Sequence, residues 1–265
     1  MFPGVSRNAA DWLPMLMELA DSADCIALAA FRKPGLRVDT KADASPVTEA
    51  DQAIEATVRA QALERHAELG VLGEEEGAAG PSETRLIIDP IDGTRNFVRG
   101  IPVFATLLAI ESSGDVVAGV VSAPALRARW QAARGAGAFR DGRRLAVSRV
   151  RSLAQALLLH GNLSSGEGGP PAGLAGLMRR VERTRGFGDF YQHMLVAEGA
   201  GEIAIDPVMH PWDIAALQVV VEEAGGRATA LSGARSIYAT SLVSSNGLLH
   251  DAALQALEGG DEALA

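Results

Sequence analysis

The sequence has very little cysteine: Cys25 is the only one among 265 residues. A single cysteine cannot form a disulfide within the chain, and it cannot supply the set of thiolates that a structural zinc site needs. Cys25 lies in an apolar stretch, which predicts a small core residue. The five histidines show no HxxxH pair, so the pattern does not favour a zinc hydrolase.

The chain also lacks an excess of positive charge and any long apolar run. Its formal net charge is -9 and its pI is about 5.1, which excludes the basic surface of a nucleic-acid-binding protein. No apolar run approaches the roughly 18–20 residues that cross a bilayer. The first residues lack the basic start and apolar block of a signal peptide. We therefore expect a cytoplasmic protein with no nucleic-acid and no membrane partner.

Apolar spacing predicts helices and short strands in the first part of the chain. Helices are expected over residues 9–31 and 46–66, the second starting near Thr48. Residues 37–45 are polar and predict an extended or mobile loop. Strands are expected at 70–73, 86–88, 104–111, 116–122 and 130–133.

In the second part of the chain, strand and helix patterns alternate after a connection at residues 135–144 that is rich in glycine and arginine. Strands are expected at 156–160 and 202–205. Helices are expected at 174–183, 190–199 and 211–224, with a turn between the first two. The glycine- and proline-rich residues 164–173 predict a mobile surface loop, and the acidic tail from Glu258 is expected to fray.

The strongest chemical signal is the run from Leu86 to Thr94, in which an apolar strand leads into Asp89-Pro90-Ile91-Asp92-Gly93. Proline stiffens the step between the two aspartates, and glycine allows a tight turn with close backbone approach to a ligand. Asp89, the Ile91 carbonyl and Asp92 would then surround one point. Such hard oxygen ligands suit Mg²⁺ or Mn²⁺. Taken alone, the run could also be an Asp-Pro turn with a helix N-cap.

Two further acidic segments support a metal site. Glu74, Glu75 and Glu76 follow an apolar strand, where three adjacent carboxylates would repel one another unless some face a cation or water. Asp213 opens an apolar helix after Pro211-Trp212, and by itself it could equally be a carboxylate that stabilises the helix N-terminus.

These motifs together resemble the inositol monophosphatase-like phosphatases, which include the related bisphosphate nucleotidases. The resemblance covers nearly the whole chain, roughly residues 11–251, and any one of its motifs alone is weakly specific. The matching segments are Lys41-x-Asp43-x-Ser45-Pro46-Val47-Thr48-x-x-Asp51, Gly73-Glu74-Glu75, Asp89-Pro90-Ile91-Asp92-Gly93-Thr94, and Trp212-Asp213-Ile214-Ala215-Ala216 followed by Glu223-Ala224-Gly225-Gly226.

The resemblance implies a metal-dependent phosphomonoesterase that uses two or three Mg²⁺ ions. One ion would be held by Glu74, Asp89 and the Ile91 carbonyl, and a second by Asp89, Asp92 and Asp213. A third, weaker ion would lie near Glu74. The implied catalytic group is Glu74 with the Asp51–Thr94 pair, which positions the attacking water. The backbone amides of Gly93 and Thr94 would contact the phosphate.

Several segments are closer to the histidinol-phosphate phosphatases of the actinobacterial type, notably residues 92–107 and Arg185-Gly186-Phe187-Gly188-Asp189-Phe190. The resemblance then implies histidinol phosphate as substrate. A carboxylate such as Asp189 could pair with its ammonium group, and Asp206 occupies the position of a polar substrate contact in the family. Asp189 could instead be a turn residue or the N-cap of the helix that starts at Phe190, and Asp206 could belong to a solvated Asp-Pro turn. Arg95 and Asn96 are further predicted substrate contacts.

Two alternative functions remain at this point: an inositol-1-phosphate or broad sugar-phosphate phosphatase, and a metal-binding regulatory protein without activity. The second would be signalled by loss of a metal carboxylate or of Thr94, and none is lost. The implied fold is a layered αβαβα sandwich of mixed α+β and α/β character. Residues 1–150 would form one half and residues 151–265 the other, with the metal site between them. Family resemblance also implies a homodimer.

Overall fold

A computed structural model describes residues 8–41, 46–163 and 169–259. Asp43 and Ser45 of the first motif, residues 164–168 of the predicted mobile loop and most of the predicted frayed tail lie outside these residues.

Seven α-helices and fifteen strands are formed by the described residues. The helices are α1 Leu13–Ala30, α2 Glu49–Arg65, α3 Thr94–Val98, α4 Leu174–Arg180, α5 Asp189–Ala197, α6 Pro211–Glu223 and α7 His250–Glu258. The strands are β1 Val38–Thr40, β2 Pro46–Thr48, β3 Gly70–Gly73, β4 Gly77–Ala79, β5 Thr84–Asp92, β6 Ala105–Ser112, β7 Asp115–Ala123, β8 Ala128–Ala133, β9 Gly137–Arg140, β10 Arg143–Arg144, β11 Leu157–His160, β12 Arg183–Gly186, β13 Ile203–Asp206, β14 Arg227–Thr229 and β15 Leu242–Ser245.

Two large sheets organise these strands. The first has the order β10-β9-β8-β7-β6-β5-β3-β4 and is antiparallel except for the β3–β5 pair. The second has the order β12-β11-β13-β15-β14, in which β11 is parallel to both of its neighbours. A separate two-stranded sheet joins β1 and β2.

The helices cover these sheets in layers because successive residues of a buried strand point to opposite faces. On β5, Leu86 and Ile88 face a core shared with α1 and α2, whereas Ile87 faces a core shared with α5 and α6. The latter core also contains residues of the second sheet, whose other face packs against α4 and α7. The order of layers is therefore αβαβα, which confirms the predicted fold class.

The long predicted helices are present, and local sequence explains where they start. Pro14 lies in the first turn of α1, where its missing amide proton costs no hydrogen bond. Thr48 caps α2, and Asp51 returns a bond to the Thr48 amide in a capping box. The predicted start of this helix near Thr48 is confirmed, and only the first residues of the predicted range 46–66 differ, because Pro46–Thr48 pairs with Val38–Thr40 as a strand.

Several short elements were also predicted wrongly. The connection at 135–144 contains strands β9 and β10, and the turn expected after α4 is strand β12. Cys25 is exposed and is not a core residue, because its position on α1 faces solvent. Among the described residues, no helix combines the length and hydropathy that a bilayer crossing requires.

Candidate metal and substrate site

A bulge in β5 gives the two aspartates of the central motif the same orientation. Asp89 pairs with Leu107 and Asp92 with Ala105, so three residue steps on β5 match two on β6. In a regular strand, residues three apart would point to opposite faces, and the extra residue restores a common side. Thr106 supports the bulge because its hydroxyl donates to the Pro90 carbonyl at 2.8 Å.

Asp213 joins this pair from the N-terminus of α6. One carboxylate oxygen from each of Asp89, Asp92 and Asp213 lies within 4.8 Å of the others. Asp213 also accepts a hydrogen bond from the His210 amide at 2.7 Å, so its carboxylate caps the helix as well. The two interpretations of Asp213 are therefore compatible, because its two oxygens can serve different partners.

Three carboxylates at this separation are electrostatically unfavourable without a cation. Burial raises the pKa of Asp89 well above its usual value, and the charges of Glu74, Asp92 and Asp213 raise it further. Burial and the charges of Asp189 and Asp213 do the same for the pKa of Asp92. Burial likewise raises the pKa of Asp213 to about 7.

The donor set of these residues fits a divalent cation. Asp89 is only 2% exposed, and its Oδ1 atom is buried without a hydrogen-bond partner among the described residues. A buried carboxylate oxygen without a partner is costly unless a cation or water occupies its coordination sphere. The surrounding ligands are all oxygen atoms, as Mg²⁺ and Mn²⁺ prefer.

Glu74 lies in the turn between β3 and β4, close enough for its charge to act on the three aspartates. It raises the pKa values of Asp89 and Asp213, although Glu74 itself contacts Lys41. The Lys41 ammonium lies 2.6 Å from a carboxylate oxygen of Glu74 and 2.6 Å from one of Glu75. Burial by itself would lower the pKa of Lys41, but the hydrogen bonds to the two glutamates outweigh it and raise that pKa. Lys41 was part of the recognised motif, yet its contact with Glu74 was not predicted.

Thr94 and Asp51 are brought together beside the bulge. The Thr94 hydroxyl lies 2.9 Å from the Ile91 carbonyl and 3.3 Å from Asp51 Oδ1. Asp51 is fully buried, and its other oxygen accepts bonds from the amide and hydroxyl of Thr48 at 2.8 Å and 2.5 Å. Burial raises the pKa of Asp51 to about 6.

Asp189 is the first residue of α5, and its charge acts on Asp92. Its Oδ2 accepts a hydrogen bond from Asn96 Nδ2 at 2.9 Å, and the N-cap position of α5 is held by the preceding residue, Gly188. The φ angle of 51° is in the left-handed region, which aspartate tolerates better than most residues. Burial and the charge of Asp206 raise the pKa of Asp189 to about 6. The capping alternative for Asp189 is therefore wrong.

Asp206 ends strand β13 and is mostly buried, with 14% of its side chain exposed. Its Oδ2 accepts from Gln192 Nε2 and lies 3.2 Å from His193 Nε2. A Cβ atom at Gly161 would lie 2.4 Å from Asp206 Oδ1, so glycine is required for this carboxylate to fit. The solvated-turn alternative for Asp206 is wrong, because two side chains of α5 hold it.

The other residues predicted to contact phosphate or substrate are partly buried beside Asp189, except for one that is exposed. Gly93 has a φ of 82°, and a Cβ atom there would lie 3.2 Å from Asp189 Oδ2, so glycine allows this carboxylate to approach. Helix α3 does start at Thr94 but has only five residues. Asn96 positions Asp189 and also donates to the Val103 carbonyl at 3.0 Å, whereas Arg95 is exposed.

The fold and site define the class of protein to which this chain belongs. The family model of the inositol monophosphatase family matches residues 8–261, and the chain therefore belongs to the inositol monophosphatase family. The chain is a phosphoric monoester hydrolase of this family, as its sequence motifs predict.

Curated relatives are similar to the chain over most of its length. It is 48% identical to a protein of Mycobacterium tuberculosis named histidinol-phosphatase, over 94% of this chain and 99% of that protein. It is 42% identical to a histidinol-phosphatase of Streptomyces coelicolor, over 91% and 94% of the two chains. The crystal structure of the extragenic suppressor protein SuhB from Bartonella henselae is similar with a TM-score of 0.87 and 30% identity, over 95% of this chain and 99% of that one.

Proposed function

We propose that this chain hydrolyses histidinol phosphate to histidinol and inorganic phosphate with Mg²⁺ as cofactor. The observation that carries this proposal is the pair of extra carboxylates, Asp189 and Asp206, beside the aspartate triad. Their charges interact, and Asp206 also raises the pKa of Asp92 and Asp213, so both lie close to the reacting centre. The histidinol-phosphatase names of the two relatives support the same substrate.

Two or three Mg²⁺ ions would be held by Glu74, Asp89, the Ile91 carbonyl, Asp92 and Asp213, and Mn²⁺ could replace them. When bound, such ions lower the pKa of a water molecule and neutralise the charge of the phosphate and of the leaving alkoxide. Lys41 supplies the one protein cation in direct contact with Glu74 among the described residues. One ammonium group cannot neutralise the negative charge of Glu74 and the three aspartates, so divalent cations would be needed to neutralise the rest.

Thr94 and Asp51 would orient the attacking water. Ionised Asp51 would accept a hydrogen bond from the Thr94 hydroxyl, which would leave a lone pair of Thr94 Oγ1 to accept a hydrogen bond from the water. The water then presents its own lone pair to phosphorus. The backbone amides of Gly93 and Thr94 would donate hydrogen bonds to the phosphate oxygens and so hold the phosphorus atom towards this water.

The leaving group carries an ammonium and an imidazole, and an acidic pocket would recognise both. Among the residues that the structure describes, no lysine or arginine forms an ion pair with Asp189 or Asp206. Each carboxylate can therefore accept a charge-assisted hydrogen bond from substrate, worth about 1.5–3 kcal/mol. Asn96 would hold Asp189 for this contact, and Arg95 stays a predicted substrate contact.

The test is a set of phosphate esters assayed with Mg²⁺: histidinol phosphate, inositol-1-phosphate, fructose-1,6-bisphosphate and adenosine-3′,5′-bisphosphate. Histidinol phosphate should give the highest kcat/KM. Asp189→Asn should lower that value roughly 10- to 150-fold, because one charge-assisted bond is lost. The same variant should change inositol-1-phosphate hydrolysis much less, since a neutral polyol gains nothing from the charge.

Asp141→Asn is a matched control for this variant. Asp141 also has a left-handed φ, of 48°, but it is exposed in the turn between β9 and β10. Its replacement should leave all four kcat/KM values unchanged. Faster hydrolysis of inositol-1-phosphate than of histidinol phosphate by the parent protein would contradict the proposed substrate and favour the polyol alternative.

Metal binding should stabilise the protein increasingly as pH rises. The folded-state pKa values of Asp89, Asp92 and Asp213 are raised above about 4, their unfolded value, so the folded protein without metal binds more protons than the unfolded chain. Stability without metal should therefore fall from about pH 4 to about pH 7 and beyond, until these carboxylates have lost their protons.

Mg²⁺ binds the deprotonated carboxylates and removes this repulsion. Its stabilising effect should therefore be small at about pH 5.5 and should reach roughly several degrees in Tm at about pH 8. Thermal unfolding in EDTA and in MgCl₂ across this range measures both trends. A Mg²⁺-induced shift in Tm that does not depend on pH would contradict the assignment of these three carboxylates.

We also propose that the chain acts as a homodimer, as its family resemblance implies. Val98, Ile101 and Phe187 are between 39% and 44% exposed, and they lie on the two segments that the Asn96–Asp189 bond joins. Apolar side chains exposed beside a site are suited to contact a second chain. The division into halves at residue 150 and the cytoplasmic location stay predictions.

A further inference from the structure

Glu55 is a buried carboxylate that none of the recognised metal motifs includes. It lies one helical turn after Asp51 on α2 and is 0% exposed. Its Oε2 accepts a hydrogen bond from the Glu75 amide at 2.7 Å, and its Oε1 accepts one from the Glu76 amide at 3.0 Å. Both amides belong to the turn between β3 and β4, which carries Glu74. Glu55 therefore attaches this turn to α2.

Arg59, one further turn along α2, fixes Glu55 in this position. Its Nε and Nη2 atoms donate to Glu55 Oε1 at 2.9 Å and 2.7 Å. Nη2 also donates to the Gly77 carbonyl at 2.5 Å, at the far end of the same turn. Arg59 is 7% exposed, so solvent screens these bonds little. Its guanidinium balances the buried charge of Glu55 and holds the turn at a second point.

The backbone next to Glu74 is shaped to admit the Glu55 carboxylate. A Cβ atom at Gly73 would lie 2.1 Å from Glu55 Oε1, far closer than atoms can approach. Glycine at this position is thus required for the carboxylate to reach the two amides. The preceding strand places Gly73 directly before Glu74, so the contact fixes the backbone from which the Glu74 side chain projects.

A restraint on this turn is needed because its carboxylates repel the rest of the site. The Glu74 amide donates to the Ile88 carbonyl at 3.2 Å, which places Glu74 beside Asp89, and the negative charges of these two carboxylates repel each other. This repulsion would push the turn outward. Lys41 holds the side chains of Glu74 and Glu75, whereas Glu55 and Arg59 hold the backbone.

We propose that Glu55 and Arg59 are positioning residues that hold Glu74 where it can bind a divalent cation, and that they set the cation affinity without contacting the cation. This inference rests on the proposed ligand role of Glu74. A glutamine cannot replace Glu55, because its amide nitrogen would face a hydrogen-bond donor in either orientation: the Glu75 amide at the Oε2 position, or the Glu76 amide and Arg59 at the Oε1 position. Loss of an outer partner of a metal ligand weakens metal binding roughly 10- to 100-fold.

The experiment measures Mn²⁺ binding to the full chain by electron paramagnetic resonance, without substrate, for the parent protein and for Glu55→Gln, Arg59→Lys and Glu74→Gln. We expect the weakest Mn²⁺ binding in Glu74→Gln and a roughly 10- to 100-fold higher Kd in Glu55→Gln. The half-saturating Mg²⁺ concentration for phosphate release should rise by a similar factor, and kcat should recover when Mg²⁺ is raised.

Glu111→Gln is the matched control for lost stability. Glu111 is 2% exposed and pairs with Arg85 and Tyr238, a comparable buried carboxylate that contacts no residue of the proposed metal site. Its replacement should lower Tm, as Glu55→Gln should, but should leave the Kd for Mn²⁺ unchanged. If Glu55→Gln does not fold, the milder Arg59→Lys variant carries the test.

The possible failures can be told apart. A folded Glu55→Gln or Arg59→Lys protein with parental Mn²⁺ affinity, next to a Glu74→Gln protein that binds weakly, would overturn the positioning role alone. Parental Mn²⁺ affinity in Glu74→Gln would overturn both the ligand role of Glu74 and the inference built on it. An equal loss of affinity in Glu111→Gln would show a general effect of stability and would also overturn the positioning role.

Discussion

Replacing Asp92 by asparagine should abolish turnover, with a loss of roughly 10³-fold or more. Asp92 shares with Asp89 and Asp213 the point where carboxylate oxygens lie within 4.8 Å of one another. An amide removes the charge that a divalent cation needs and offers only one weakly coordinating oxygen. Phosphate release with saturating Mg²⁺ measures the loss, and the Kd for Mn²⁺ should rise in parallel.

The Asp92→Asn protein should remain folded and should unfold at a higher temperature than the parent when no metal is present. Asp92 Oδ2 accepts a bond from the Phe190 amide at 2.6 Å, and an asparagine carbonyl can accept the same bond. Removing one charge beside Asp189 and Asp213 relieves repulsion that raises the pKa of Asp92. Unchanged turnover would refute the proposed metal role, and a lower metal-free Tm would contradict the account of repulsion.

Replacing Thr94 by valine should lower kcat by about 10²- to 10⁴-fold, the range typical of a group that positions or deprotonates the attacking water. Valine keeps the shape of threonine but removes the hydroxyl that contacts Asp51 and the Ile91 carbonyl. KM for the ester and Kd for Mn²⁺ should change little, because Thr94 is not a proposed metal ligand. Steady-state kinetics and Mn²⁺ titration separate these quantities.

Thr106→Val controls for the loss of a hydroxyl at the same bulge. Thr106 is buried and donates to the Pro90 carbonyl, but it makes no contact with Asp51. Its replacement should reduce stability and should lower kcat far less than Thr94→Val does. Equal losses of kcat in the two variants would mean that Thr94 acts by supporting the backbone rather than by orienting water.

The regular parts of the fold were predictable because their periodic apolar patterns are long. Helix α1, the central strands β5 to β7 and helix α6 each carry enough apolar residues in phase to indicate the element. Strands β9, β10 and β12 are only two to four residues long, and arginines occupy much of their length. Their pairing comes from neighbouring strands of the sheet, which local sequence does not contain.

The sequence by itself determined the family and the order of the acidic motifs, and it singled out the three aspartates proposed as metal ligands. Local runs such as Asp89-Pro90-Ile91-Asp92-Gly93 carry this information. Only the tertiary structure decided how side chains from distant segments meet. Glu55 was indistinguishable from an exposed charge on α2, and the Asn96–Asp189 bond joins two segments far apart in the chain. Such contacts depend on how layers pack across the core, and electrostatic interactions at these short distances follow from position in space, whatever the separation in sequence.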